Sequence, residues 1–234
     1  MAGRFCGPDQ PYEGLVDRAG TGWKWTGDVR LLPEKLEDPV RWTRPRLIFV
    51  NSMADLFHRK VPDDFILDVF RTMARASHHT FQVLTKRAAR MEQWFGSTDG
   101  EEAARLAAEQ GITWPLKNVW LGVSVENQTA ADTRVVSLLR SPAYFRFLSC
   151  EPLIGSVTLQ PLHLSMIDQM IVGCQTGPRT QVYPMDEDWV RALRDQCTQH
   201  QVAFFYKQKL DADGIRIKMP LLDGREWAEY PDGR

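Results

Sequence analysis

Close cysteine pairs are missing from this sequence. Its four cysteines, Cys6, Cys150, Cys174 and Cys197, are scattered along 234 residues with no CxxC spacing, and they are too few for a disulfide scaffold. No apolar run approaches the ~20 residues of a membrane span. Met1 to Tyr12 has no apolar signal-peptide core, so the expected location is the cytoplasm. Charge of one sign is not in excess either. The net charge is -1, so no global basic field recruits nucleic acid or anionic membrane, and only a local basic cleft is left open. Walker A, GxSxG and HExxH patterns are absent, as are internal repeats, low-complexity tracts and a clear linker.

Apolar content is ample. Hydrophobic residues make up 43% and charged residues 25%, so a core can be buried. Six short β-type runs stand out: Arg46 to Asn51, Thr80 to Leu84, Asn118 to Val125, Tyr144 to Ser149, Gln169 to Gly173 and Val202 to Tyr206. They lack clean polar alternation, which marks strands buried on both faces, as in parallel sheets. Helical patterns fill the gaps. Asp63 and Asp64 follow Pro62, and Phe65, Ile66, Val69, Phe70 and Met73 recur at helical spacing. Further helices are expected over Glu101 to Gln110, closed by Gly111, over Thr129 to Leu139, and over Asp186 to Gln199.

Strands alternating with helices predict an α/β fold, a partial or open TIM-like (βα) barrel of about six parallel strands. A flat doubly wound sheet fits the same alternation, but no Gly-rich phosphate loop follows the first strand. The chain divides into an irregular segment 1–45, a βα-repeat barrel 46–207 and an appendage 208–234. In the last, Ile215 to Leu222 is a candidate strand and Asp223-Gly224 a hairpin turn.

In a parallel βα barrel the C-terminal strand ends form the functional face. Here those ends are polar, and the ligand-binding candidates follow strand by strand: Asn51 and Ser52, Lys86, Ser124 and Glu126, Ser149 and Glu151, Gln175, and Lys207. Carboxylates and lysines that converge there suit an amino acid-like ligand, or general acid–base work by Glu126, Glu151 and Lys86. Asp55 and His58 are candidates for an acid–base or metal pair, or for capping the next helix. His78 and His79 fall at the opposite rim. Cys6, Cys150 and Cys174 are weak metal candidates, while Cys197 lies on the apolar face of its helix. Trp23 and Trp25 are packing residues or line a cleft.

Several stretches resemble the phage and bacterial family of phage protein Gp-thirty-seven/Gp-sixty-eight, a domain of unknown function that is similar to radical SAM barrels. They are Ile48 to His58, Phe81 to Arg87, Val119 to Glu126, Phe147 to Leu153, Phe204 to Gln208 and Leu222 to Arg225. The resemblance implies a 4Fe-4S cluster, S-adenosylmethionine and reductive radical generation. Two departures bear on this. The family's segment of three close cysteines is not present, and Met1 to Pro8 resembles the sequence just after it, which suggests an N-terminally truncated form. The family's Gly-Glu-Ser-Gly type turn reads Cys174-Gln175-Thr176-Gly177 here, with the carboxylate lost. Radical chemistry requires clustered thiolates, so the chain as it stands is expected not to generate radicals. The alternative is a cluster-free module on the same scaffold that binds a ligand, nucleic acid or protein. A phage-encoded chain would work in the bacterial host cytoplasm. A missing first strand would leave a barrel seam for residues 1–45 or a partner chain to cover.

Overall fold

The computed structural model describes residues 6–7, 10, 12–20, 22–109, 111–176 and 182–231. The chain opens with an antiparallel hairpin of β1 (Val16–Ala19) and β2 (Gly22–Trp25), which forms a separate two-stranded sheet. The segment read as irregular therefore carries regular structure. Its strands are almost wholly exposed, so no buried face imposed an apolar alternation. Trp23 and Trp25 remain about half exposed, and Tyr12 packs edge-on against Trp25 with ring centres 5.6 Å apart. A 3-10 turn (Pro33–Lys35) and the short helix α1 (Asp38–Arg41) lead into the main sheet.

Six parallel strands follow: β3 (Leu47–Val50), β4 (Thr80–Thr85), β5 (Val119–Ser124), β6 (Phe145–Cys150), β7 (Gln169–Gly173) and β8 (Ala203–Leu210). They pair in chain order, and antiparallel β9 (Arg216–Lys218) adds a seventh strand on the β8 edge. The sheet is mixed α/β and mostly parallel, curled into a half-barrel. Its crossovers carry α2 (Asp63–Arg75), α3 (Ala88–Phe95), α4 (Thr98–Glu109), α5 (Gln128–Arg140), α6 (Pro161–Leu164) and α7 (Glu187–His200). The β4–β5 connection, expected to hold one inserted helix, holds both α3 and α4. Among the described residues no helix is long and apolar enough to cross a membrane.

One face of the sheet packs on these helices. Val83, Leu121, Val123, Leu148, Met170 and Phe204 share a single core with Phe70, Trp94, Leu138 and Leu193 from the helical layer. Strand alternation sends Trp120, Gly122 and Ser124 to the other face. There Gly122 lies beside Phe147 in register, and a Cβ at Gly122 would stand 2.4 Å from the Phe147 ring. The missing side chain is what lets that ring lie flat across β5. All six residues of β5 are buried, as a continuous apolar run predicts.

The two edges of the sheet differ. On the β8 side, β9 pairs with residues 208–210. Further back, Tyr206 N–H donates to Trp227 O (2.8 Å) and Glu229 N–H to Phe204 O (3.1 Å). On the β3 side, no strand among the described residues pairs with the outer edge. The expected strand from Ile215 to Leu222 is broken at Met219 (φ 49°), giving β9 and then β10 (Leu221–Leu222), which pairs with β11 (Arg225–Glu226). The turn between them is Asp223-Gly224, with φ of 51° and 79°, the left-handed pair that a two-residue hairpin requires. Asp223 accepts from Arg191 Nε (2.9 Å) and Arg194 Nη1 (2.8 Å), which fastens the appendage to α7.

Gly122→Ala should overpack the Phe147 ring and cost about 1–3 kcal/mol. Gly122→Ala combined with Phe147→Leu should recover part of the loss. Urea denaturation measures both; a Gly122→Ala variant as stable as the parent would contradict this packing.

Candidate functional site

The hydrogen-bond ladder continues past the strand ends, and this places the site. Val125 N–H donates to Ser149 O (2.9 Å), Ile154 N–H to Glu126 O (2.9 Å), Leu153 N–H to Gly173 O (2.9 Å) and Cys174 N–H to Gln208 O (3.1 Å). The polar residues after each strand are thus held by backbone bonds rather than set on free loops.

Glu126 is the centre. Lys86 Nζ donates to its Oε1 in a short hydrogen bond, and Arg134 Nη1 donates to its Oε2 (2.7 Å) and to Ser124 O (2.8 Å). The Glu126 side chain is only 12% exposed. Burial pushes its pKa up. The Lys86 hydrogen bond, a backbone N–H and the charges of Lys86 and Arg134 outweigh burial and hold it below the ordinary carboxylate range. Glu126 is therefore an anion at neutral pH. Asn127 caps α5 by accepting from Ala130 N–H (3.0 Å), which fixes where that helix starts. Asn127, Ala130 and Arg134 then share one helix face turned back to the strand ends.

A cavity of about 570 Å³ opens here, bordered by Lys86, Glu126, Asn127, Arg134, Gln175 and Tyr183, with Pro152 and Ile154 as its apolar wall. Gln175 Oε1 accepts from Tyr183 N–H (3.2 Å), so this amide helps to shape the wall. Three of the residues singled out from sequence, Lys86, Glu126 and Gln175, meet in this cavity. Gly177 of the same turn lies outside the described residues.

Glu151 and Lys207 form a separate group. Glu151 accepts from Lys207 Nζ (2.8 Å) and Gln208 Nε2 (2.9 Å), bridging the end of β6 to β8. Gly173 on the intervening strand makes the bridge possible: a Cβ there would stand 3.2 Å from both the Glu151 and Gln208 side chains. Ser124 and Ser149 are register partners, nearly buried in the sheet just below the rim. Asn51 (φ 58°) and Ser52 are exposed in the turn after β3 and do not border the cavity.

Asp55 and His58 do not cap α2, whose N-cap is Pro62 with no side-chain bond. Asp55 Oδ1 accepts from Phe57 N–H (3.0 Å) and Thr85 Oγ1 (2.8 Å); its Oδ2 accepts from Lys86 N–H (3.2 Å) and Arg87 Nη1 (2.7 Å). It therefore grips the three consecutive residues that carry Lys86. His58 Nδ1 accepts from Lys60 N–H (3.2 Å), and burial, aided by Arg87, lowers its pKa, so the ring stays neutral.

The thiols do not form a cluster ligand set. Cys150 is fully buried, and burial, with the Glu126 charge, pushes its pKa up to about 12. Cys174 is 3% exposed, and its pKa is likewise raised by burial. Cys197 Sγ lies 3.7 Å from Met170 Sδ in the core. Among the described residues, Cys6 included, no three His, Cys, Asp or Glu side chains are placed to hold a metal. Protonated, core-facing thiols are poor ligands for iron, so the residues present do not fit a 4Fe-4S cluster.

A second cavity of about 390 Å³ lies in the helical layer, bordered by Leu36, Phe70, Trp114 and Leu116. The charges at its mouth pair with one another, Arg75 with Glu37 and Arg71 with Asp68. It offers none of the convergent donors found at the strand ends.

Arg134 and Tyr183 escaped the sequence reading. The signal for Arg134 was available: it stands at i+7 from the residue that caps its helix, on the face turned to the preceding strand.

Glu126→Gln should lower stability at neutral pH by about 1–3 kcal/mol, because Lys86 and Arg134 lose their counter-charge. The Glu126 pKa is depressed on folding, so its contribution is complete above the ordinary glutamate value of 4.5 and drains as pH falls from there through the lower folded-state value. The stability gap between parent and variant should hold steady between about pH 6 and 8 and shrink below about pH 4.5. A gap that persists undiminished at about pH 3 would overturn this assignment of charge.

Comparison with known proteins adds a family but no activity. No curated protein and no solved structure matches the chain. One family model, described as protein of unknown function (DUF5131), matches residues 2–231, so nearly the whole chain is accounted for and the protein belongs to that family.

Proposed function

We propose that this chain is a ligand-binding half-barrel of the radical SAM-like kind that works without an iron–sulfur cluster of its own, and that it takes a small ligand bearing an α-amino carboxylate. The observation that carries the reading is the meeting of Lys86, Glu126 and Arg134 in one open cavity. Their bonding is unsaturated. Lys86 has three N–H donors, of which Glu126 takes one, and Arg134 reaches Glu126 and Ser124 through Nη1. The spare donors suit a ligand carboxylate. Each Glu126 oxygen keeps an acceptor position, which suits an ammonium group. The volume falls within the usual range for small-ligand sites, about 300–1,000 Å³. S-adenosylmethionine, implied by the family resemblance, belongs to this ligand class. Its reductive cleavage would need a cluster that the described thiols do not hold.

The ionisation of Glu126 favours binding over proton transfer. A general acid or base works best with a pKa near the operating pH, and Glu126 is held well away from it.

Isothermal titration calorimetry tests the proposal with S-adenosylmethionine, S-adenosylhomocysteine and adenosine. The first two should bind, and adenosine, which lacks the α-amino carboxylate, should bind at least about tenfold more weakly, the worth of one charge-assisted hydrogen bond. Lys86→Met and Glu126→Gln should each weaken S-adenosylhomocysteine by a similar factor. Equal binding of adenosine, or a Kd untouched by both substitutions, would refute the reading.

A further inference from the structure

The opposite rim of the sheet carries a different chemistry. Register partners Leu47 with Thr80, Phe81 with Val119 and Trp120 with Phe145 put Arg46, His79, Lys117 and Tyr144 just ahead of four neighbouring strands, at the N-terminal end of the sheet. His79 is the buried member. Its Nδ1 accepts from Arg46 N–H (3.1 Å) and its Nε2 faces Pro39 O (2.9 Å), which locks the approach to β3 onto β4. Around it the side chains are exposed and basic. Arg46 lies over the Trp42 ring at 4.6 Å, and Lys117 over the Tyr144 ring at 5.7 Å. Arg44, two residues before Arg46 in the chain, is exposed, and Tyr144 is 46% exposed.

These cations lack counter-charges. Among the described residues Arg44, Arg46 and Lys117 form no ion pair, whereas Arg75, Arg87, Arg90, Arg105 and Arg134 all do. The residues that lead into the four strands, 39–46, 76–79, 112–118 and 141–144, contain no Asp or Glu. The acidic residue at the next strand, Asp168, is occupied by Arg146 N–H (2.7 Å). The carboxylates that border it on α1, Glu37 and Asp38, are paired with Arg75 and Lys35.

We infer that this rim is a binding site for single-stranded nucleic acid. Arg44, Arg46 and Lys117 take phosphates, and Tyr144 offers a ring against which a base can stack. The stripe crosses about three strand spacings, or roughly 14 Å, which matches a few nucleotides of an extended strand and is short for a duplex footprint. Exposed aromatic surface beside the cations favours unstacked bases over an acidic peptide or a lipid headgroup. The inference is independent of the cavity at the other end of the strands.

Fluorescence anisotropy with a labelled thymidine 12-mer of single-stranded DNA tests it on the full chain. Three neutralised phosphates predict a log–log salt slope near −2, hence binding roughly 15- to 20-fold weaker at 200 mM than at 50 mM salt. Arg44→Gln, Arg46→Gln and Lys117→Gln together should weaken binding at least about tenfold and flatten the slope, with an unchanged circular dichroism spectrum. Tyr144→Ala should weaken binding without changing the slope. Lys86→Met, at the far rim, should leave binding intact. Should the triple variant fold poorly, Arg44→Gln alone, at an exposed position, should still reduce the slope by about 0.7. The inference fails if the parent does not bind at 50 mM salt, if the rim variants bind like the parent, or if Lys86→Met abolishes binding. It fails equally if polyglutamate or phosphatidylserine vesicles compete as well as the oligonucleotide, since the site would then read charge alone.

Discussion

Parallel pairing is the constraint on which the rest of this molecule depends. The strands from β3 to β8 all run the same way, so each of them up to β7 must be followed by a crossover that returns over the sheet. The helices that fill those crossovers bury one face of the sheet, and every strand delivers its C-terminal residues to the same rim. Lys86, Glu126 and Gln175 are far apart in the chain and border one cavity for that reason alone. The ladder bonds that run on past the strands, such as Ile154 N–H to Glu126 O, then remove the freedom these residues would have on ordinary loops.

The charges at the rim are paired. Glu126 is an anion between two cations, and Glu151 is bound from β8 by an ammonium and an amide. Asp55 serves the same end one step back: its carboxylate holds Thr85, Lys86 and Arg87 and so aims the lysine. Small residues are part of the device. Gly173 lets Glu151 reach across a strand, and Gly122 lets Phe147 fill the space beneath the rim. The opposite rim has the reverse character, with cations over aromatic rings and no carboxylate in the segments that carry them.

What was legible in the sequence followed burial. All six parallel strands showed as apolar runs; both faces of β5 are covered, whereas β3 leaves Leu47 and Phe49 exposed on its second face. Helices α2 and α7 showed as periodic stripes, α4 as an Ala-rich run and α5 as an apolar cluster behind a polar start. The β1–β2 hairpin did not show, because neither strand has a buried face to impose alternation. Helix α3 was passed over because Ala88, Met91 and Trp94 make only a brief stripe within eight residues. Asp55 was misread because an acidic residue before a helix resembles a cap. Its bonds instead go to a loop thirty residues further along the chain.

By itself, the sequence determined the α/β class, the order of the strands, the polar identity of their ends and the Asp223-Gly224 turn, since each is local or periodic. Tertiary structure alone decided how those polar ends group. It put Lys86, Glu126 and Gln175 around one cavity with Arg134 and Tyr183, and it sent Glu151 and Lys207 to a bridge of their own. Sheet curvature and strand register set those distances, and both arise from packing across the whole half-barrel, which no local stretch of sequence encodes.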